Sequence, residues 1–299
     1  LRRQRQMCIR DSSSSKGRPV SENVSENVSV NATSSRRLAL LGVGVMGEAL
    51  LSGLLRSGQD AAQVVVGDRY EARAQHIVET YGVTVALPAE AVAGADTVVL
   101  AVKPQDMGSL LEEIHDALRP GAFVVSIAAG ITTAYLEARL PEGTPVARAM
   151  PNTPALVDQG MAAVSPGTHC GTDDLAEAMR LLEGCGKVVT VPEKHQDAVT
   201  AISGSGPAYI FYVVEAMVEA GVLLGLPRVT STELVVQTLF GAATMLKETG
   251  EHPTVLREQV SSPGGTTMSA LRQLDDHKVR AAFLTAMEAA AQRLSLIHI

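Results

Sequence analysis

Gly42, Gly44 and Gly47, in the stretch RLALLGVGVMGEALL, fall in the spacing G-x-G-x-x-G, with the apolar Val43, Val45 and Met46 between them. The short apolar run Leu38–Leu41 ahead of them suits a buried parallel strand. Behind them, Ala49, Leu50, Gly53, Leu54 and Leu55 give one apolar face at helical spacing. Strand, glycine turn and helix in that order can hold a pyrophosphate. Gly42 permits the tight turn, Gly44 lets phosphate oxygens approach the backbone, and Gly47 lets the helix lie close on the strand. The helix start adds unpaired N–H groups and the positive end of its dipole. A dinucleotide is the ligand that this arrangement suits.

Asp68 follows the glycines by about twenty residues, where an acidic side chain commonly bonds the adenosine ribose. Arg69 comes next and suits stacking on adenine or holding a 2′-phosphate. These two residues point to opposite cofactors, so they leave NADPH against NADH open. A second group lies far downstream. In EQVSSPGGTTMSAL, Ser262, Pro263, Gly264, Gly265, Thr266 and Thr267 place hydroxyls and an unusual glycine turn at the start of a helix. Such a cluster of donors suits a carboxylate, although an elaborate helix cap would use the same residues.

The elements that must position these groups alternate. Ala62–Asp68, Ala95–Val102, Ala122–Gly130 and Thr144–Pro151 read as strands. Arg73–Tyr81, ended by Gly82, and Met107–Leu118 read as helices. Alternation of this kind predicts a doubly wound parallel sheet, an α/β Rossmann domain, with ligands at the carboxyl ends of its strands. Those ends read Asp68-Arg69, Lys103-Pro104-Gln105, Ala128-Ala129-Gly130 and Pro151-Asn152-Thr153-Pro154. The second half reads as all-helical. Pro207 suits a first helical turn, Gly225 and Pro227 close that helix, and a second runs from about Arg228 to Glu248. These two helices are too apolar for a chain this short to bury alone, which points to a subunit interface.

Bulk properties exclude some functions. With 46% hydrophobic and 19% charged residues the chain can form a core, and its formal net charge of −7 does not match a nucleic-acid footprint. Cys8, Cys170 and Cys185 form no C-x-x-C pair, so neither a zinc site nor a disulfide framework is expected. A reduced, cytoplasmic compartment fits. No membrane span is expected, because the most apolar stretch, Ala208–Gly225, carries Glu215 and Glu219.

The motifs GVGVMG, AVKPQ, IAAGI, RAMPNTP, SGSGPAY and SSPGGTTMSAL occur in this order. In this series the chain resembles the pyrroline-5-carboxylate reductase family over about residues 37–293. The resemblance implies a Rossmann domain (37–194) and a helical domain for dimerisation and substrate binding (195–293). It implies reduction of 1-pyrroline-5-carboxylate, a cyclic imino acid, to L-proline. The hydride donor would be NADPH, with NADH the alternative. Dimers or a pentamer of dimers would form. Gly42–Gly47 would hold the pyrophosphate, Val102, Lys103 and Pro104 the ribose beside the nicotinamide, and Ala128, Ala129 and Asn152 would border the ring. Gln259, Ser262, Gly265, Thr266 and Thr267 would bind substrate, with Ser262 and Thr267 the catalytic candidates. Pro88 departs from the family, which often has Asn there, and puts an adenosine contact in question.

The motifs contain few ionisable groups, no His–Asp or Cys–His pair and no metal-ligand spacing. Imine reduction tolerates this, since a protonated C=N bond is already electrophilic. Lys103 reads as cofactor-positioning and His195 as a surface residue. The rival β-hydroxyacid dehydrogenases commonly place a catalytic Lys six residues after the first Gly of an interdomain G-x-G. Counting from Gly204 reaches Ile210, which has no proton to give. A second rival, a nucleotide-binding redox sensor, would leave the Ser262–Thr267 cluster without use.

The ends read differently. Residues 1–36, including SSSSKGRPVSENVSENVSVNATSS, lack a core-forming pattern and are expected to be disordered. LRRQRQMCIRDS at the start and LSLIHI at 294–299 resemble translated sequencing adapter, and a targeting peptide is the alternative for the N-terminal part. Removal of residues 1–35 is therefore expected to leave turnover and melting temperature nearly unchanged. A substantial fall in Tm would show that the segment docks on the folded body.

Overall fold

The computed structural model describes residues 36–68 and 70–295. The expectations for the tail 1–35, with its Cys8, for Arg69 and for residues 296–299 lie outside the described residues.

The first half is one sheet with helices on both faces. Its strands are β1 (Leu38–Leu41), β2 (Val64–Gly67), β3 (Thr84–Ala86), β4 (Thr97–Leu100), β5 (Phe123–Ser126), β6 (Val146–Met150), β7 (Gly160–Pro166) and β8 (Gly186–Thr190), in the spatial order β3-β2-β1-β4-β5-β6-β7-β8. Between them run α1 (Val45–Arg56), α2 (Glu71–Tyr81), α3 (Pro88–Ala93), α4 (Met107–Ile114), α5 (Thr133–Glu137) and α6 (Thr172–Glu183). The strand order reverses between β1 and β4, the place where open α/β sheets leave a crevice. Leu41 pairs level with both Gly67 and Leu100, so β1, β2 and β4 end together and open onto that crevice.

The run Leu38–Leu41 is apolar throughout because each face of β1 meets helices. Leu38 and Leu40 pack in a core with Leu50, Leu51 and Leu54 of α1 and Leu181 and Leu182 of α6. Ala39 and Leu41 pack on the opposite face with Val92 of α3, Met107, Leu111 and Ile114 of α4 and Leu136 of α5. Side chains alternate along a strand, so a strand covered on both sides shows no polar alternation.

The structure differs from the sequence reading at the far edge. β7 runs antiparallel to β6, joined by a 3-10 turn at Thr153–Val157, and β8 returns parallel to β7 through α6. The sheet is thus parallel only as far as β6. β8 is an edge strand with Lys187 exposed, which hides it from an apolar-run search and blunts the edge. The helix from Met107 stops at Ile114, four residues short of expectation.

The helical half comprises α7 (Gln196–Val199), α8 (Gly206–Leu223), α9 (Arg228–Thr249), α10 (Pro253–Gln259), α11 (Thr266–Asp276) and α12 (Val279–Ser295). A π-helical turn, Thr200–Gly204, leads into α8, and α12 packs back on this turn and on α7. α8 and α9 touch where Ser231 Oγ donates to the Val218 carbonyl at 2.9 Å. Gly221 makes that approach possible, because a Cβ on it would lie 2.0 Å from Ser231 Oγ. Elsewhere the pair is bare. Phe211, Tyr212, Leu223, Val229 and Phe240 are each more than half exposed, and Val218 and Val235 are the buried apolar residues. The helical stretch Glu193–Leu223 is long and apolar enough to cross a membrane by length and composition, with Glu215 and Glu219 exposed on it.

Gly221→Val is expected to destabilise the chain by roughly 1–3 kcal/mol through overpacking, read as a lower denaturation midpoint. Ser231→Ala in the same chain should recover part of the loss, since its hydroxyl is the nearest obstacle. An unchanged midpoint in the single variant would mean that α8 and α9 slide apart at no cost.

Candidate active site

The turn between β1 and α1 follows from three glycines with different tasks. Gly42 adopts φ +91°, and its N–H donates to the Gly67 carbonyl at 2.9 Å. A Cβ on Gly47 would lie 2.2 Å from the Gly42 carbonyl oxygen, so only glycine lets α1 come so close. Gly44 is the N-cap of α1, and no side chain caps the helix. A Cβ there would meet a single atom within 4 Å, Nη1 of Arg73 at 3.8 Å. Open space thus lies over uncapped first-turn N–H groups, the geometry that accepts a phosphate.

The turn faces a cleft of about 490 Å³ lined by Gly42, Val43 and Gly44, by Asp68, Tyr70 and Arg73, and by Pro88, Val102 and Lys103. The Asp68 carboxylate accepts the N–H groups of Val43 at 3.3 Å and Tyr70 at 2.8 Å. It therefore braces the turn from inside. Arg73 Nη1 donates to the Val43 carbonyl at 2.7 Å. The sequence reading missed Tyr70 and Arg73; the place of Arg73 in the first turn of α2, five residues after Asp68, was the available signal. Pro88 is the first residue of α3, buried, and forms part of the cleft wall. Lys103 is exposed at the start of a 3-10 turn, Pro104–Asp106.

At the end of β5, Ser126 Oγ accepts the Ala128 N–H at 3.3 Å, Ala128 is buried and Ala129 half-buried. After β6, Asn152 Oδ1 accepts the Met161 N–H at 2.8 Å and Nδ2 donates to the Ser203 carbonyl at 3.0 Å. Both ends of this amide are taken up by the protein, tying the sheet to the π-helical turn.

The downstream loop lies between α10 and α11. Gly264 takes φ +68°, the Gly265 N–H donates to the Ser262 carbonyl at 2.9 Å, and Gly265 is the N-cap of α11 with no side-chain cap. Ser261 and Ser269 spend their hydroxyls on backbone carbonyls of Arg257 and Gly265. Those of Ser262, Thr266 and Thr267 find no partner among the described residues. Gln259, Ser262 and Thr266 are exposed, and Gly265 and Thr267 half-buried. This loop is separate from the glycine cleft, whose lining runs from Leu41 to Leu110.

Among the described residues no three His, Cys, Asp or Glu side chains cluster as a metal site. Burial and then the Asp174 carboxylate push the Cys170 thiol up to about 11, and burial raises Cys185, so neither is a thiolate nucleophile at neutral pH. His195 is exposed in a turn before α7.

Comparison with known proteins bears on both halves. Residues 193–296 match the family model described as pyrroline-5-carboxylate reductase dimerisation, and residues 37–130 that described as NADP oxidoreductase coenzyme F420-dependent. The pyrroline-5-carboxylate reductase of Mycobacterium tuberculosis is 43% identical over 286 residues, covering 88% of this chain and 97% of the relative. That of Escherichia coli K12 is 39% identical, covering 84% and 94%. Among solved structures, the Coxiella burnetii enzyme superposes with a TM-score of 0.84 at 34% identity, covering 88% and 99%. Plasmodium falciparum pyrroline carboxylate reductase with NADP bound gives 0.81 at 28%, covering 90% and 100%. A phosphate-ready glycine turn and a hydroxyl-rich loop, on a chain alike to these relatives from end to end of its folded part, make it a member of the pyrroline-5-carboxylate reductase family.

Proposed function

We propose that this chain reduces 1-pyrroline-5-carboxylate to L-proline with NADPH, the dinucleotide lying at the β1–α1 cleft and the imino acid at the Ser262–Thr267 loop. The observation that carries the reading is the pairing of two donor sets, the start of α1 beneath Gly44 with no side-chain cap and the Ser262, Thr266 and Thr267 hydroxyls, which find no partner among the described residues. The cleft fits a dinucleotide, since Gly44 leaves the room a pyrophosphate needs and the strand ends on either side are level. Gly42 to Gly47 would hold the pyrophosphate, Val102, Lys103 and Pro104 the adjoining ribose, and Ala128, Ala129 and Asn152 the nicotinamide end. When bound, the cofactor supplies a hydride from C4 of its nicotinamide.

The protein's own part is positioning. N–H groups at the start of α11, with Ser262 and Thr266, anchor the substrate carboxylate, and Gln259 borders the loop. Thr267 Oγ1 bonds the ring nitrogen. The imine carbon gains the hydride and the nitrogen keeps its proton, which completes the secondary amine. Catalysis then rests on orientation more than on a strong acid. Asp68 turned toward backbone amides, with Arg73 beside it, favours a 2′-phosphate and so NADPH over NADH.

A second copy is needed on two counts. It would cover the bare faces of α8 and α9, and it would bring a Ser262–Thr267 loop to a glycine cleft. We propose a homodimer, assembled further as a pentamer of dimers, in the cytoplasm. Residues 37–194 would serve the cofactor and 195–293 the dimer and substrate.

The direct test is loss of NADPH absorbance on adding 1-pyrroline-5-carboxylate to the purified protein. Turnover of hydroxy acids with none of the imine would overturn the reading. Gly44→Val should leave the melting temperature of the free protein nearly unchanged, because its Cβ would meet only Arg73 Nη1, at an ordinary contact distance of 3.8 Å, yet remove most NADPH affinity in a fluorescence titration. Equal affinity would place the pyrophosphate elsewhere. Thr267→Ala should lower kcat/KM roughly ten- to hundredfold, the loss of one hydrogen bond to a charged centre at about 1.5–3 kcal/mol. Ser262→Ala should chiefly raise KM. In both, NADPH affinity should hold, and a Thr267→Ala variant that bound NADPH poorly but turned over normally would refute the division of roles.

A further inference from the structure

Arg148 is the charged residue of RAMPNTP, and none of the roles above uses it. It sits in β6 with 3% of its side chain exposed, a position where a guanidinium demands partners. Nη1 lies 3.6 Å from Glu193 Oε1 and Nη2 3.8 Å from Asp197 Oδ1. Both separations are ion pairs too long to be hydrogen bonds. The short bonds of Glu193 go elsewhere. Its Oε1 accepts the Thr133 N–H at 2.7 Å and its Oε2 accepts the Thr133 hydroxyl at 2.5 Å.

Thr133 begins α5, directly after the loop that leaves β5. That loop carries Ala128 and Ala129, and Ser126 Oγ holds its near end. Glu193, by contrast, belongs to the segment that leads through α7 and the π-helical turn into α8. Gln196, three residues on, is fully buried and bonds Ser165 Oγ at 2.8 Å, so this segment is pinned to the sheet. The Glu193 carboxylate thus joins two parts of the molecule that the reaction must bring into register. Its two bonds to one residue fix direction as well as distance.

We infer that Glu193, braced by Arg148, is a positioning residue that fixes the Ala128–Ala129 loop against the first turns of the helical half, and through it the hydride-transfer geometry. The inference rests on the proposed place of Ala128 and Ala129 beside the nicotinamide. Buried ion clusters contribute little net stability compared with apolar packing. Direction is what this one adds, and a displacement of about 1 Å at a reacting centre can cost on the order of a hundredfold in rate.

The test compares Glu193→Ala, Glu193→Gln, Thr133→Val and the Glu193→Ala/Thr133→Val double variant in the full chain. The readouts are single-turnover NADPH oxidation at saturating 1-pyrroline-5-carboxylate, NADPH Kd, and the isotope effect with NADPH deuterated at C4. Glu193→Ala should slow hydride transfer roughly ten- to hundredfold and raise the isotope effect on kcat, with NADPH Kd little changed. Glu193→Gln, which still accepts the Thr133 N–H, should recover part of the rate. The double variant should be no slower than Glu193→Ala. An unchanged hydride-transfer rate in Glu193→Ala, or additive losses in the double variant, would overturn the inference. Should Glu193→Ala fail to fold, Thr133→Val decides, since it is isosteric and keeps the N–H bond: a slower hydride step supports the inference and an unchanged one refutes it. Ala129→Leu separates the premise from the clamp. Full hydride transfer there would remove the loop from the nicotinamide and the clamp's role with it. An inactive Ala129→Leu beside a fully active Glu193→Ala would refute the clamp alone.

Discussion

The contact between the Gly42 carbonyl and the backbone of Gly47 sets the rest of the cofactor half. α1 can rest there only because a Cβ on Gly47 would intrude to 2.2 Å. That seat puts the start of α1 at the level where β1, β2 and β4 end together. Asp68 then reaches the Val43 N–H from β2, and Arg73 reaches the Val43 carbonyl from α2. Residues following β2 and within α2 thus hold both backbone groups of Val43, between β1 and α1. Among the described residues no side chain caps the start of α1.

The helical half obeys the opposite constraint. There the chain leaves large apolar surface uncovered, with Phe211 and Tyr212 on α8 and Val229 and Phe240 on α9. Exposed apolar area of that kind is unstable in water unless a partner covers it. The matched dimerisation model over residues 193–296 names the same region. α8 packs on α9 through Gly221 and Ser231. The Ser262–Thr267 loop falls within the same matched region, beyond α10.

How much was legible in the sequence depended on whether a residue acts locally. The glycine turn, β1 and the boundaries of α8 and α9 follow from periodicity and from Gly and Pro punctuation, and the structure has them within a residue or two. β3, β7 and β8 were not legible. β3 is a three-residue edge strand, Lys187 and Thr190 break any apolar run in the edge strand β8, and β7, though buried in its middle, is built from small residues and Ser165 that make no long apolar run. Arg148 and Glu193 stayed hidden for a different reason, since forty-five positions separate them and only the fold puts them together. Asp68 was seen but its neighbours were not: its carboxylate spends both hydrogen bonds on backbone amides, which no spacing rule reveals.

The reaction chemistry explains why the site tolerates so little ionisable equipment. A ketone needs a proton delivered as the hydride arrives, and enzymes that reduce ketones place an acid for the purpose. A cyclic imine can bind already protonated, so its positive charge is the activation and the protein need only avoid opposing it. What remains is to fix a carboxylate, a ring nitrogen and a nicotinamide in one geometry, which hydroxyls and backbone amides do without titrating. A loop of Ser262, Thr266 and Thr267 hydroxyls, none engaged by a described residue, is suited to that task. It also makes the enzyme sensitive to alignment, because no strong acid stands by to compensate for a hydride donor held slightly too far away. The bonds of Thr133 to Glu193 and of Asn152 to Ser203 tie the strand ends of the sheet to the first turns of the helical half.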